Sequence, residues 1–159
     1  MANLVYMTIT GEKQGSLSQG CGTYDSLGNK CQINHLDQIF VLALTHSTHR
    51  QQHINHQPIS ITKLIDKSSP LFGVAIANNE KLQCVIDIYS TDKTGFNRKF
   101  YSIELRDAFL VDVSLNIPHS IDHNDAQPEE TLLLSFKNIT WNHHVAGTSG
   151  YSFWEENVY

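Results

Sequence analysis

The chain has 159 residues, 40% of them hydrophobic and 17% charged, with a formal net charge of −5. That length and balance suit a single globular domain spanning residues 1–159, able to bury roughly two-thirds of its unfolded surface, and exclude a chain too polar to fold. Acidic and basic residues are mixed along the sequence and form no basic stripe to neutralise phosphates, so nucleic acid is excluded as an expected partner.

The opening stretch "MANLVYMTITGEKQG" has neither the basic region nor the long apolar run of a signal peptide. No stretch reaches the roughly 20 apolar residues of a membrane helix. The expectation is synthesis in the cytoplasm, no membrane insertion, and export by a route that needs no cleaved signal. Cys21, Cys31 and Cys84 form no CxxC pair, and their odd number leaves at least one outside any internal disulfide, which fits folding in a reducing compartment.

Apolar and polar residues alternate in "NLVYMTIT" and again in "DQIFVLALTHS", the period of two that marks a strand. After the second strand comes "LTHSTHRQQHINHQP", with His46, His49, His53 and His56 within eleven positions. On a helix the spacing of three, four and three would align all four imidazoles as a zinc ligand set. The segment lacks an apolar stripe, however, and Pro58 pushes Gln57 toward extended geometry. Read as extended chain, it sends His46 and His56 to one side and His49 and His53 to the other, which disperses the ligands. A solvated or interface loop is the better reading, with metal binding and a pH switch as the weaker alternatives.

"QPISITKLI" is a further strand, and "DKSSPLFGVAIANNEK" breaks the pattern. Ser69 as N-cap, Pro70 in the first turn and the asparagines at 78 and 79 predict one short helix over about residues 69–79, with Leu71, Phe72, Val74, Ala75 and Ile76 available to the core. Alternation resumes from Leu82 to Ser90, then in "KFYSIELRDAFLVDVSL" and "ETLLLSFKNITW", separated by the turn-forming "DKTGFN" and "PHSIDHNDAQPEE". Both parities are apolar in "AFLVDVSL" and "TLLLSF", so these strands lack a fully solvated face; a neighbouring subunit, or the helix and long loops, would cover it.

Catalytic signals are weak. "GTSGY" fails as a nucleophile elbow because position 151 is tyrosine, and it reads as a glycine-rich surface turn. Asp122, Asp125, Glu129 and Glu130 lack the spacing of a calcium loop and read as a solvated acidic turn. His143 and His144, if on a strand, point to opposite sides, and Trp141, Tyr151, Phe153 and Trp154 read as core. No catalytic, cofactor or metal residue is assigned.

Taken together, "MANLVYMTITGEKQG", "YDSLGNK", "THS" with Arg50, "NHQP", "DKSSPL", "NNEKL", "KFY", "HNDAQPEET", "ITW" and "AGTSGYSFWE" resemble the haemolysin-coregulated protein (Hcp) family, the tube subunit of the bacterial type VI secretion system in its enteric form. The blocks run from Met1 almost to the end of the sequence. The resemblance implies a mostly β, two-sheet β-barrel with one flanking helix and a long projecting loop over about residues 45–57, and a structural, non-enzymatic role without cofactor. It implies a homohexameric ring that stacks into a hollow tube inside a contractile sheath. A spike protein caps the tube, which is expelled into the medium or a target cell with effector proteins as cargo in its lumen. The projecting loop coincides with the histidine-rich stretch, so His46, Ser47, Arg50, Asn55, His56, Gln57 and Pro58 are expected at subunit or ring contacts, while His49 and His53 depart from the pattern. Thr45 is the candidate lumen contact. Some members carry a fused toxin domain, and a sequence stopping at Tyr159 resembles the plain tube component. The competing reading is a small ligand- or metal-binding β-barrel using the histidine cluster.

Overall fold

Alternation with period two becomes strand wherever a second strand is available to pair with it. The computed structural model describes residues 3–154; Met1, Ala2 and Glu155, at the ends of the first and last family-like blocks, lie outside them. The strands are β1 (Leu4–Gly11), β2 (Gly15–Ser16), β3 (Ile39–Thr45), β4 (Thr48–Arg50), β5 (Ile54–His56), β6 (Ile59–Leu64), β7 (Leu82–Thr91), β8 (Asn97–Asn116), β9 (Glu129–Ser135), β10 (Asn138–His143) and β11 (Thr148–Phe153). Two short helices, α1 (Tyr24–Leu27) and α2 (Ser69–Ala77), complete the pattern of a mostly β protein.

All pairings are antiparallel, and the hydrogen-bonded path closes on itself. It runs β8–β7–β1–β3–β6–β9 and returns to β8, because that 20-residue strand pairs with both β7 and β9, and it carries β10 and then β11 beside it. Its first part, up to Ala108, pairs β7, and its last part, Phe109 to Asn116, pairs β9. Closure removes most free edges, which is how a small all-β domain avoids edge-to-edge aggregation. The changeover falls at Asp107, whose φ of 51° is left-handed and whose carbonyl, with that of Arg106, accepts the Lys137 N–H. A β-branched side chain is strained there, so Asp107→Val is expected to lower stability by about 1–2 kcal/mol while Asp107→Gly is close to neutral, as measured by chemical denaturation.

The interior is built from the inward parity of the barrel strands. Met7 and Ile9, Ile39 and Val41, Ile59 and Ile61, Cys84 and Ile86, Ile103 and Leu105, and Leu132 and Leu134 form one buried cluster, into which α2 inserts Phe72 and Ala75. Each large apolar side chain buried this way contributes roughly 1.5–3 kcal/mol. All three cysteines are free; Cys21 and Cys84 are buried, and burial pushes the Cys21 thiol up to about 11, which keeps it unreactive.

Several sequence expectations are corrected in detail. The helix spans Ser69–Ala77, its N-cap is Ser68 rather than Ser69, and Asn79 at φ 47° ends the turn. Within it Val74 faces out rather than in. Residues 148–153 are a strand and not a surface turn: Gly147 at φ 72° makes the tight turn, and β11 then pairs along β10. Glu130 is not solvated. It sits directly across from Lys63 in the β6–β9 register, and both are buried. In "AFLVDVSL" the two apolar parities are explained partly by an irregularity between Leu110 and Asp112, which leaves Val111 outside the ladder and 54% exposed.

Candidate assembly site

The segment after β3 does not remain a loop. Thr48, His49 and Arg50 pair with His56, Asn55 and Ile54, so the projection is a two-stranded hairpin, β4–β5, closed near its base by the Gln57 N–H donating to the Ser47 carbonyl at 3.2 Å. The β-branched Thr48 and Ile54, one on each arm, suit this local pairing, which reading the segment against a helix alone does not anticipate.

The hairpin divides the expected contact residues into two groups. Ser47, Arg50 and Asn55 are exposed on it, with His49 beside them, while Gln57 and Pro58 are half-buried where the chain returns to β6. His56, by contrast, is only 2% exposed, and its Nε2 lies 2.9 Å from Ser152 Oγ on β11. His46 is half-buried, with its ring parallel to that of His56 (7°, centroids 6.3 Å apart), and Phe136 meets both rings edge-on. Trp141 and Trp154 pack on His56 at 6.4 and 6.0 Å. His46 and His56 therefore share one side, because the register sets His56 across from Thr48, two residues from His46, and that side is the inside of the hairpin base. Burial depresses the imidazole pKa of each, and the neighbouring His46 depresses that of His56 further.

The anchoring partners Phe136 and Ser152 carry no signal in the sequence that ties them to a loop about 80 to 100 residues away. The C-terminal aromatics were legible only as a group: Trp141 and Trp154 face the core cluster, whereas Tyr151 and Phe153 are exposed. Between the C-terminal strand and the β8 corner lies a groove of about 690 Å³ lined by Phe109, Phe136, Phe153 and Trp154, with Asp107 and Lys137 at its edge. Thr45 ends β3 opposite Ser60, exposed on the outer face that Thr62 and Thr131 share. Among the described residues, no three histidine, cysteine, aspartate or glutamate side chains converge as a metal ion would require. His143 and His144 diverge, the first toward Phe100 and Tyr101 and the second to Ser102 Oγ at 2.9 Å. Ser149 lies in β11 opposite Asn142, not on an elbow.

Residues 6–143 match the family described as "Type VI secretion system effector, Hcp". The chain belongs to the Hcp family. As an Hcp-family domain it is a structural component of the type VI secretion system. It is 36% identical to the "Major exported protein" of Pseudomonas aeruginosa, with 99% of each chain covered. It is 42% identical to the "Uncharacterized protein YhhZ" of Escherichia coli K12 over 93% of its own length, which spans only 37% of that relative. A crystal structure of an Hcp protein superposes with a TM-score of 0.91 at 28% identity, covering 98% of this chain and 99% of that one. The closed β8–β7–β1–β3–β6–β9 path is thus the Hcp fold, and the β4–β5 hairpin is its projection in this chain.

Proposed function

We propose that the chain, as one Hcp-like β-barrel domain over residues 1–159, is the tube subunit of a type VI secretion system. Six copies close into a ring, and rings stack into a hollow tube within the contractile sheath. A spike protein caps the tube, and the assembly is expelled with effector proteins in its lumen, without a cleaved signal. The full-length likeness to a protein called "Major exported protein" supports the export.

The observation that carries the reading is the hairpin: its base is anchored by buried rings while Ser47, Arg50 and Asn55 stand exposed beyond the barrel. A rigid base with an exposed polar edge is preorganised to meet a second subunit or ring at little ordering cost. An exposed apolar run at the end of β8, with Leu115 at 63% and Ile117 at 65% exposure after Val111, also supports self-association. Thr45 faces the lumen in this arrangement, on a surface of small hydroxyl side chains that suits varied cargo without binding any one tightly.

Negative-stain microscopy of the purified protein should show six-membered rings without added ligand; monomers or dimers alone at micromolar concentration would overturn the reading. Within it, Arg50→Glu is expected to weaken ring stacking and tube formation while leaving the subunit folded, as followed by sedimentation and circular dichroism. Normal tubes in that variant would remove the hairpin from the assembly contact.

A further inference from the structure

The hairpin base has a chemical property that subunit packing does not need: it is held by two imidazoles in a largely apolar box. We propose that His46 and His56 form a protonation latch, which holds the β4–β5 hairpin against β11 and the two tryptophans when neutral and releases it when protonated.

The geometry disfavours charge at both rings. His46 Nε2 is buried and, among the described residues, has no hydrogen-bond partner, so a proton there would bring positive charge to a nitrogen that no described acceptor meets. His56 already uses Nε2 with Ser152 Oγ, and among the described residues its Nδ1 meets Thr48 Oγ1 at 3.5 Å, a poor acceptor for a second N–H. The parallel rings are 6.3 Å apart, so two imidazolium ions would repel across a low-dielectric gap. The remaining walls are Phe136, Trp141 and Trp154.

The other titratable and charged groups on the packed elements are His49, Arg50 and His53 on the hairpin, Lys137 after β9, Asp107 at the β8 corner, His143 on β10, which turns to Phe100 and Tyr101, and Tyr151 on β11, which is exposed. Among the described residues, neither His46 nor His56 is in an ion pair with a carboxylate. Glu155 and Glu156 lie outside the described residues. Two effects oppose the latch: the Gln57 backbone favours charge on His46, and the Trp154 face attracts a cation at His56. Desolvation outweighs the first, since it is the larger influence on each imidazole.

The sign follows from linkage. With the folded-state affinity for protons lowered, the unfolded or opened form binds more protons, so closure is favoured fully above the ordinary imidazole value of about 6.5 and weakens as pH falls below it. The penalty stops growing once pH passes below the depressed folded values. That tube assembly would then be acid-sensitive rests on the proposed function; the latch itself does not.

The chain contains two tryptophans, and both contact His56, so tryptophan fluorescence of the full-length protein reports on this one imidazole. Because imidazolium quenches indole, a pH titration should show quenching with a midpoint below about 6.5. Amide-exchange protection of residues 46–57 should fall in the same window, by roughly tenfold for each unit of depression. His56→Gln should abolish the quenching step, His46→Gln should move it upward, and the double change of His49→Gln with His53→Gln should leave it in place. A midpoint at or above the ordinary value, quenching that survives His56→Gln, or unchanged hairpin protection would overturn the latch. Should His56→Gln fail to fold, imidazole titration by nuclear magnetic resonance in the unmodified protein decides the same point. Rings that persist while the hairpin opens would count against the hairpin's role in assembly and leave the latch standing.

Discussion

Replacing Lys63 with methionine is expected to lower folding stability by about 3–5 kcal/mol, the range for removing one partner of a buried ion pair. Lys63 is fully buried, and its Nζ contacts Asp66 Oδ1 at 3.0 Å, Glu130 Oε2 at 3.3 Å, Ser69 Oγ at 3.1 Å and the Leu64 carbonyl at 3.2 Å. It also lies 5.4 Å from the Phe72 ring centroid. The lysine thus joins β6, β9 and the start of α2 at one point. Asp66 in turn accepts the Ser68 N–H and hydroxyl, which sets the entry to the helix. Without the ammonium, Asp66 and Glu130 are left as buried carboxylates with no cation. Denaturant midpoints should show the loss, and the double change of Lys63→Met with Glu130→Leu should recover the part due to Glu130, while Asp66 remains a buried carboxylate held by the Ser68 N–H and hydroxyl. A loss below about 1 kcal/mol, the worth of a surface pair, would mean that water reaches the site.

Placing a charge on the apolar rim of β8 is expected to have the largest effect on assembly. In Leu115→Asp the side chain is exposed in the subunit, so the folding cost is confined to repulsion from Glu130 across the β8–β9 ladder. If the rim is buried between copies, the carboxylate is desolvated without a partner at several kcal/mol, which weakens association on the order of 10²- to 10³-fold. Sedimentation at matched concentration should show free subunits with unchanged circular dichroism. Undisturbed rings in Leu115→Asp would take this rim out of the interface.

The sequence and the structure part company at identifiable places. The parity of Met7 and Ile9 and of Cys84 and Ile86 placed those residues correctly in the core, because strand alternation is local and survives any topology, whereas in "TLLLSF" both parities are apolar and only the sheet pairing turned Leu132 and Leu134 inward. The helix was legible for the same reason: Ser–Ser–Pro at its start and Asn–Asn at its end act on adjacent residues. The missed β11 and the β4–β5 hairpin are both pairs whose partner, rather than whose composition, makes them strands. Glu130 was misread because its neighbours in sequence are solvated while its neighbour across the sheet is Lys63.

The histidine stretch shows the same division. Spacing placed His46 and His56 on one side for an extended chain, and the β4–β5 register, with Thr48 across from His56, keeps them there although the chain reverses between them. Only the tertiary structure decided that the shared side is an interior one, closed by Phe136, Trp141, Ser152 and Trp154. Burial depends on what the rest of the chain brings to a side chain. A two-residue period tells which residues go together but not whether they meet water or a wall of aromatic rings.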